Sequence, residues 1–344
     1  MKTIAAILVA QRQPLEIAEV EVPALGTGQA LVEIKTTRIC GSQLGEIEGV
    51  KGPDKWLPHL LGHEGGGRVL EIGPGVKHVK VGDHVVLHWR PGAGLEGSPA
   101  PKYRWGEKIV NAGNITTFNR FAVISENRLT PVPADLSDDL CCLLADTLTT
   151  GFGVITRDAK VEIGESVVII GAGGIGLGAI LGAKLAGAYP VIAADLHAHK
   201  LEVARRYGAT HVINTKERPL AEAVREILDG AAPDVVVDGT GNPRVIEAAY
   251  ELTAPKGRCV LFGVMPHDQR VTLHTLPLHF GKTLTGSEGG QSRPHQDVPR
   301  LVRMMRGGAF DPSGFISHRF RLEQVNEAIT RMRAGEVIHC VIDF

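Results

Sequence analysis

The stretch Val167-Val168-Ile169-Ile170-Gly171-Ala172-Gly173-Gly174-Ile175-Gly176 limits what this chain can fold into more than any other. Four β-branched apolar residues in a row suit a parallel strand buried on both faces. Glycines at 171, 173 and 176 then space a G-x-G-x-x-G turn, and residues 177–186, rich in Leu, Ile and Ala, read as a helix. In such a turn Gly171 permits the sharp bend, Gly173 lets a pyrophosphate approach, and Gly176 allows helix to pack closely on strand. Gly174 and Ile175 complete the loop, where the first helical N–H groups and the positive dipole end face the phosphates. With 42 glycines in 344 residues, a lone match would mean little. Here a second apolar run, 190–194, follows the helix and ends on Asp195, where a carboxylate accepts from the ribose hydroxyls of a dinucleotide.

A chain of 344 residues exceeds what one hydrophobic core usually organises, so a cofactor module plus one other domain is expected. Thirty-seven basic against 38 acidic residues leave a formal charge of −1, which gives no reason to invoke nucleic acid or a membrane surface as partner. No apolar run reaches eighteen residues, and the apolar residues 4–10 read as a first strand rather than a leader, so a cytoplasmic protein is expected. Five scattered cysteines, an odd number, do not make a disulfide framework.

Residues 1–151 look β-rich and turn-rich, with strands expected at 4–10, 15–22, 29–36, 67–72 and 81–86, and a loop-rich lobe at 89–119. No helix–strand alternation is expected before residue 140. From 152 to 290, strands alternate with helices at a spacing that predicts a six-stranded parallel Rossmann sheet. Thr240 and Gly263 follow two of its strands at the cofactor edge, and Lys200 follows Asp195 on the ribose side. Residues 291–344 are expected to return and complete the first domain, with strands at 315–320 and 337–344 around a helix at 322–333.

Two short motifs in the first half carry chemistry. Cys40-Gly41-Ser42 follows an expected strand, and Gly62-His63-Glu64 lies about twenty residues on. Thiolate and imidazole both ligate zinc, although a lone Cys is usually a small buried hydrophobe and a lone His a satisfied one. Their order changes the reading. Cys-Gly-Ser, Gly-His-Glu-Gly, Val81-Gly82-Asp83-His84-Val85 and a mid-chain dinucleotide loop together resemble the zinc-dependent alcohol dehydrogenases of the medium-chain dehydrogenase/reductase superfamily. The resemblance runs nearly the whole chain, through Asp146-Thr147-Leu148-Thr149-Thr150-Gly151 to Cys340-Val341-Ile342-Asp343-Phe344.

That resemblance implies a GroES-like catalytic domain beside the Rossmann domain, NAD as cofactor, and one catalytic zinc held by Cys40, His63 and Asp146. It also implies a small alcohol or ketone as substrate, and a homodimer or homotetramer. Ser42 would take the alcohol proton and Glu64 would lie beside the metal. Thr150 and Ile175 would pack on the nicotinamide, Trp89 would line the substrate cleft, and His339 stands where many relatives place Arg against the pyrophosphate. Cys141 and Cys142 compete with Asp146 on ligand chemistry alone but stand earlier relative to Thr150-Gly151. Three departures from the family pattern stand out. No cysteine lies between 88 and 120, so the family's structural zinc is missing; Gln43 replaces an Asp that supports the ligand histidine; and Gly45 replaces a His that relays protons. Gln43 is expected to accept a hydrogen bond from the imidazole.

Polar groups expected at the cleft, Trp89, Arg90, Glu288 and Arg293, favour a polyol, sugar or cyclitol over a simple alkyl alcohol. Arg90, Lys102, Arg104, Lys108 and Arg120 give the 88–120 lobe a local positive excess over Glu96 and Glu107. A zinc-free reductase of the same fold would leave Cys40, His63 and Asp146 coincidental. A non-catalytic dinucleotide-binding protein would have no use for a metal.

Overall fold

The computed structural model describes residues 1–344, and the chain divides into Met1–Asp146 with Arg293–Phe344 as one unit and Thr147–Ser292 as the other. The first division falls at Asp146, inside a helix, rather than at Gly151.

The first unit runs β1 (Lys2–Leu8), β2 (Glu16–Glu21), β3 (Gln29–Arg38), α1 (Gly41–Glu48), β4 (His59–Leu60), β5 (Glu64–Ile72) and β6 (His84–His88). It continues through β7 (Lys102–Trp105), β8 (Lys108–Asn111), β9 (Phe121–Ser125) and β10 (Leu129–Pro131) to the long helix α2 (Asp138–Asp158). The second unit holds β11 (Val167–Ile170), α3 (Gly174–Leu185), β12 (Val191–Asp195), α4 (Ala198–Tyr207), β13 (His211–Asn214) and α5 (Leu220–Ile227). After β14 (Val235–Asp238), α6 (Pro243–Leu252), β15 (Arg258–Leu261) and β16 (Thr283–Gly286), the chain returns. The returning segment adds α7 (Pro294–Arg306), β17 (His318–Arg321), α8 (Val325–Arg333) and β18 (Cys340–Asp343) to the first unit. The last strand pairs antiparallel with β3 and parallel with β17.

In the first unit β1, β2, β7, β8 and β4 close a small barrel, and a second sheet runs β10-β6-β5-β3-β18-β17 with β9 also on β3. Strand β1 shows how the residues build this. Ala6 and Leu8 face a core with Phe320 and Ile342, while Ala5 and Ile7 face another with Leu60, Tyr103 and Val110. Each large apolar side chain buried there contributes about 1.5–3 kcal/mol, so a one-residue slip would cost packing on both faces. In the second unit the parallel order β13-β12-β11-β14-β15-β16 reverses between β11 and β14, the crevice where such sheets bind ligands.

Helix α2 has the length and composition of a membrane span, but most of it is buried inside the protein, as in a soluble core helix. Its first turn explains why β5 begins at Glu64 and not Gly67. A Cβ at Gly66 would meet Cys141 Cβ at 2.8 Å, so the glycine run is the strand centre beneath the helix. Helix α1 and the β7–β8 hairpin were unexpected. The hairpin is anchored by two buried residues, Tyr103 and Val110, and the Tyr103 hydroxyl accepts from the N–H of Val123 at 2.8 Å amid exposed charges. Near the end, a 3-10 turn at Ser313–Phe315 precedes β17 and another at Leu322–Gln324 precedes α8, so both elements start later than expected; β18 also starts later, at Cys340.

The lobe after β6 is tied down by Glu126, which is 1% exposed. Its carboxylate accepts from the backbone N–H groups of Lys77 (2.5 Å), His78 and Leu95 (2.7 Å). Burial pushes the carboxyl up, but these three donors pull it down by more, and it sits below the usual carboxylate range. A depressed folded value gives stability that is present above the unfolded pKa of about 4.3 and lost as pH falls through the folded one. Glu126→Gln should therefore cost about 1–3 kcal/mol in urea melts at neutral pH. Its penalty should shrink on acidification below about pH 4. A variant equally stable to wild type at neutral pH would show that the carboxylate does not hold the lobe.

Candidate metal centre and nucleotide site

The antiparallel ladder brings distant residues to one sheet end. Thr37 pairs with Gly65 and Glu64 with His88, so Arg38, Glu64 and His88 lie side by side across β3, β5 and β6. Cys40 follows the first strand, His63 precedes the second and Trp89 follows the third. Asp146 reaches the same place from a π-helical turn of α2, Leu143–Thr147, a distortion frequent at functional sites. The donor atoms of Cys40, His63, Glu64 and Asp146 all lie within 4.8 Å of one another.

Asp146 Oδ2 is 3.8 Å from Cys40 Sγ and 4.0 Å from His63 Nε2. That Nε2 is buried and has no hydrogen-bond partner. An orphaned ring nitrogen among a thiol and two carboxylates fits a metal ion, which needs donors and no hydrogen. Cys141 and Cys142 do not join the group: Cys141 contacts His84 Nε2 at 3.3 Å and Cys142 donates to the Thr36 carbonyl at 3.1 Å.

Arg38 and Glu64 form a buried pair, with Nη1 donating to both carboxylate oxygens at 2.9 and 2.8 Å. Burial pushes the Glu64 carboxyl up to about 8; Arg38 pulls it down, while Cys40 and Asp146 add to the rise. For Arg38, burial works against the charge, but Glu64, Cys40 and Asp146 outweigh it, so the guanidinium stays cationic. Arg38, the partner of Glu64, was not singled out from the sequence.

Trp89, read as a cleft residue, donates from Nε1 to Asp146 Oδ1 at 3.0 Å, which aims Oδ2 at the cluster. Arg90 lies over the indole, 5.5 Å from its centroid. His88 sets this corner. Burial lowers its pKa to about 3, so it stays neutral, with Nδ1 on the Arg90 carbonyl and Nε2 on the Thr130 hydroxyl, both at 2.8 Å. Gln43 corrects the expectation made for it. Its Oε1 is committed to the N–H of Cys40 at 2.8 Å, capping α1, so the amide nitrogen rather than the oxygen meets His63 Nδ1. Ligation through Nε2 puts the ring proton on Nδ1, and the amide must then turn to accept it. Ser42 sits in the first turn of α1 with its Oγ buried and unpartnered.

In the second unit the glycine turn follows steric demand. Gly171 has φ +96°, and a Cβ at Gly176 would lie 1.9 Å from the Gly171 carbonyl oxygen. A Cβ at Gly173 would meet nothing within 4 Å, which is the open face a pyrophosphate needs. Gly174 and Ile175 begin α3. Asp195 ends β12 and accepts from the N–H of Ala172 (2.8 Å) and of His197 (2.9 Å), so it also braces the glycine loop. Lys200 lies in the first turn of α4. Thr240 donates to buried Asp238 at 2.7 Å, and a Cβ at Gly263 would meet Gly239 at 2.5 Å. Thr150 is buried in α2. His339, in the first unit, is 1% exposed and stacked on Phe315.

Residues 26–134 match the alcohol dehydrogenase GroES-like domain, and residues 174–307 match the zinc-binding dehydrogenase domain. An alcohol dehydrogenase class-3 of Cereibacter sphaeroides is 34% identical over 378 aligned positions, covering 100% of both chains. An S-(hydroxymethyl)glutathione dehydrogenase of Paracoccus denitrificans is 32% identical, covering 99% of this chain and 100% of its own. The crystal structure of benzyl alcohol dehydrogenase from Acinetobacter calcoaceticus superposes with a TM-score of 0.89 at 27% identity, covering 100% of this chain and 99% of the other. With these matches and with donors arranged as a metal needs them, the chain belongs to the zinc-dependent alcohol dehydrogenases of the medium-chain superfamily, whose cofactors are zinc and NAD.

Proposed function

We propose that the protein interconverts a secondary alcohol of polyol, sugar or cyclitol type and its ketone, with one catalytic zinc on Cys40, His63 and Asp146. The orphaned Nε2 of His63, facing Cys40 and two carboxylates, is the observation that carries this reading. Three unlike ligands from distant parts of the chain suit a catalytic metal, since structural sites close all four positions with clustered Cys or His. Zinc supplies Lewis acidity toward the substrate oxygen and NAD accepts the hydride. Trp89 orients Asp146, Arg38 holds Glu64 back as a neighbouring charge, and Ser42 takes the alcohol proton. Arg90 offers a cation to substrate hydroxyls. The hard carboxylate in place of a second thiolate supports tolerance for cobalt or manganese.

The direct test is a panel of polyols, secondary alcohols, benzyl alcohol and S-(hydroxymethyl)glutathione, scored by NADH formation. Polyols or cyclic secondary alcohols should lead. A clear preference for a primary alcohol or the glutathione adduct would overturn the substrate class. Metal analysis should return about one zinc per chain, and Asp146→Ala should lose both metal and turnover while still binding NAD. Full activity in that variant would remove Asp146 from the site.

Gln43 gives a second expectation. An aspartate at this position accepts from Nδ1–H with full charge and needs no amide rotation, so Gln43→Asp should tighten zinc about tenfold. Chelator competition measures it, and unchanged or weaker binding would mean that the Gln43 amide does not limit the imidazole.

Cofactor choice rests on Asp195, whose carboxylate repels a 2′-phosphate. His197 does not offset this above neutral pH, because burial, then the charge of Lys200, holds its pKa below the ordinary value. NAD should be favoured over NADP by at least tenfold in kcat/KM at about pH 8, and Asp195→Ser should narrow that ratio. Equal use of both cofactors by wild type would refute the assignment.

A further inference from the structure

A second group of metal donors lies in the first unit and shares no residue with the cluster around Asp146. His84 opens β6, while Asp138 and Cys141 stand at i and i+3 at the start of α2, on one helix face. Their donor atoms all lie within 4.8 Å of one another. His84 Nε2 is 2.8 Å from Asp138 Oδ1 and 3.3 Å from Cys141 Sγ. Ligands at about 2.0–2.3 Å from a tetrahedral zinc stand about 3.3–3.5 Å apart. The nitrogen and sulfur already have that spacing, and the nitrogen and oxygen need to part by about half an ångström. The other ring nitrogen, Nδ1, lies 3.3 Å from the Pro133 carbonyl, an acceptor that holds the ring proton there and leaves Nε2 for an ion. Ser137 fixes the helix start, its Oγ accepting from the N–H of Leu140 at 3.3 Å. Gly66 lets that turn sit on β5, since a Cβ there would meet Cys141 Cβ at 2.8 Å. His84 and Cys141 are buried, but the Asp138 side chain is 30% exposed, so solvent reaches one side of the group.

We propose that His84, Asp138 and Cys141 bind a second zinc, or another thiophilic divalent cation, when the metal exceeds what the catalytic centre takes. The ion takes Nε2, Oδ1 and Sγ, with water in the fourth position on the exposed side of Asp138. As the metal–sulfur bond forms, the thiol S–H bond breaks and its proton leaves to solvent; no electrons are transferred. Thiolate and carboxylate together offset the two positive charges of the ion, which suits a largely buried place. Two features make this site weaker than the catalytic one. Unlike His63 Nε2, His84 Nε2 has a partner without a metal, so the ion competes with its contact to Asp138. Burial also pushes the Cys141 thiol above its ordinary range, Asp138 adds to the rise and Arg68 lowers it, so the incoming metal must displace a firmly held proton. Arg68 Nη1, 3.7 Å from Asp138 Oδ1, further opposes a cation here. Once bound, the ion ties β6 to α2, and it stabilises the folded chain in which its three donors are assembled.

The experiment titrates the full chain, its catalytic centre already loaded with zinc, with further zinc and, in parallel, with cadmium. Wild type should take up about one further equivalent per chain, and its thermal midpoint should rise with free metal. Cadmium should give a thiolate-to-metal absorption band that Cys141→Ser lacks. Cys141→Ser and His84→Gln should keep the first zinc, lose the further equivalent and show a flat midpoint. Arg68→Gln should move the other way and fill the site at about threefold to tenfold lower free zinc, because it removes an opposing charge. Should a buried variant fail to fold, Asp138→Asn, at the half-exposed ligand, carries the same test. Asp146→Ala should still bind metal at His84, which separates this site from the proposed catalytic one. A wild type that takes no further equivalent in excess zinc would overturn the proposal. So would a further equivalent that Cys141→Ser and His84→Gln bind as tightly as wild type.

Discussion

The buried pair between Arg38 and Glu64 is the interaction on which the cluster of Cys40, His63, Glu64 and Asp146 depends. The two residues face each other across β3 and β5, with side chains 4% and 0% exposed. Two charges leave water at a cost of several kcal/mol each, which only close geometry and further hydrogen bonds offset. Both oxygens of Glu64 are taken by one guanidinium nitrogen, so the carboxylate is fixed at the strand's first residue. Cys40 lies two residues beyond Arg38 and His63 one residue before Glu64. Removing either partner would strand the other group in the interior and loosen the loops that carry Cys40 and His63. The same pair decides the role of Glu64. It sits within the donor cluster, yet both of its oxygens accept from Arg38.

Around that centre the supporting contacts come from elements that the ladder sets side by side. Trp89 is placed by β6 and fixes Asp146 through one oxygen. Neutral His88 fixes the backbone of Arg90. In many members of this family, a structural zinc on four cysteines stabilises the lobe after β6. Here the Glu126 carboxylate gathers the turn at 77–78 and the loop at 95 by backbone hydrogen bonds. A charge-assisted contact of this kind replaces a metal clip with one titratable group, which ties the lobe's stability to pH.

The nucleotide unit works by closeness of backbone to backbone. The carbonyl of Gly171 occupies the space where a side chain at 176 would go. The close contact of α2 with α3 is equally demanding, since a Cβ at Gly151 would meet Ala179 N at 2.5 Å and one at Gly178 would meet Thr147 O at 2.3 Å. Asp195 accepts the loop N–H of Ala172 and so braces the glycine turn from the end of β12.

Features whose chemistry lies within a few residues were legible in the sequence. The glycine turn, its Asp and the buried apolar strands are local patterns set by backbone sterics and hydrophobic period, whereas the Cys-Gly-Ser and Gly-His-Glu motifs were read through the family resemblance. Even there, α1 and the β7–β8 hairpin escaped, because short elements with one or two buried residues leave no periodic signal. What only the tertiary structure decided are the pairings: Arg38 with Glu64, Trp89 with Asp146, Gln43 with Cys40 rather than with the imidazole through its oxygen, and His84 with Asp138. Each partner taken alone is an ordinary polar residue. Its role depends on which group the fold brings within about 3–4 Å of it, the range over which hydrogen bonds and buried charges act, and strand register and helix packing set that distance.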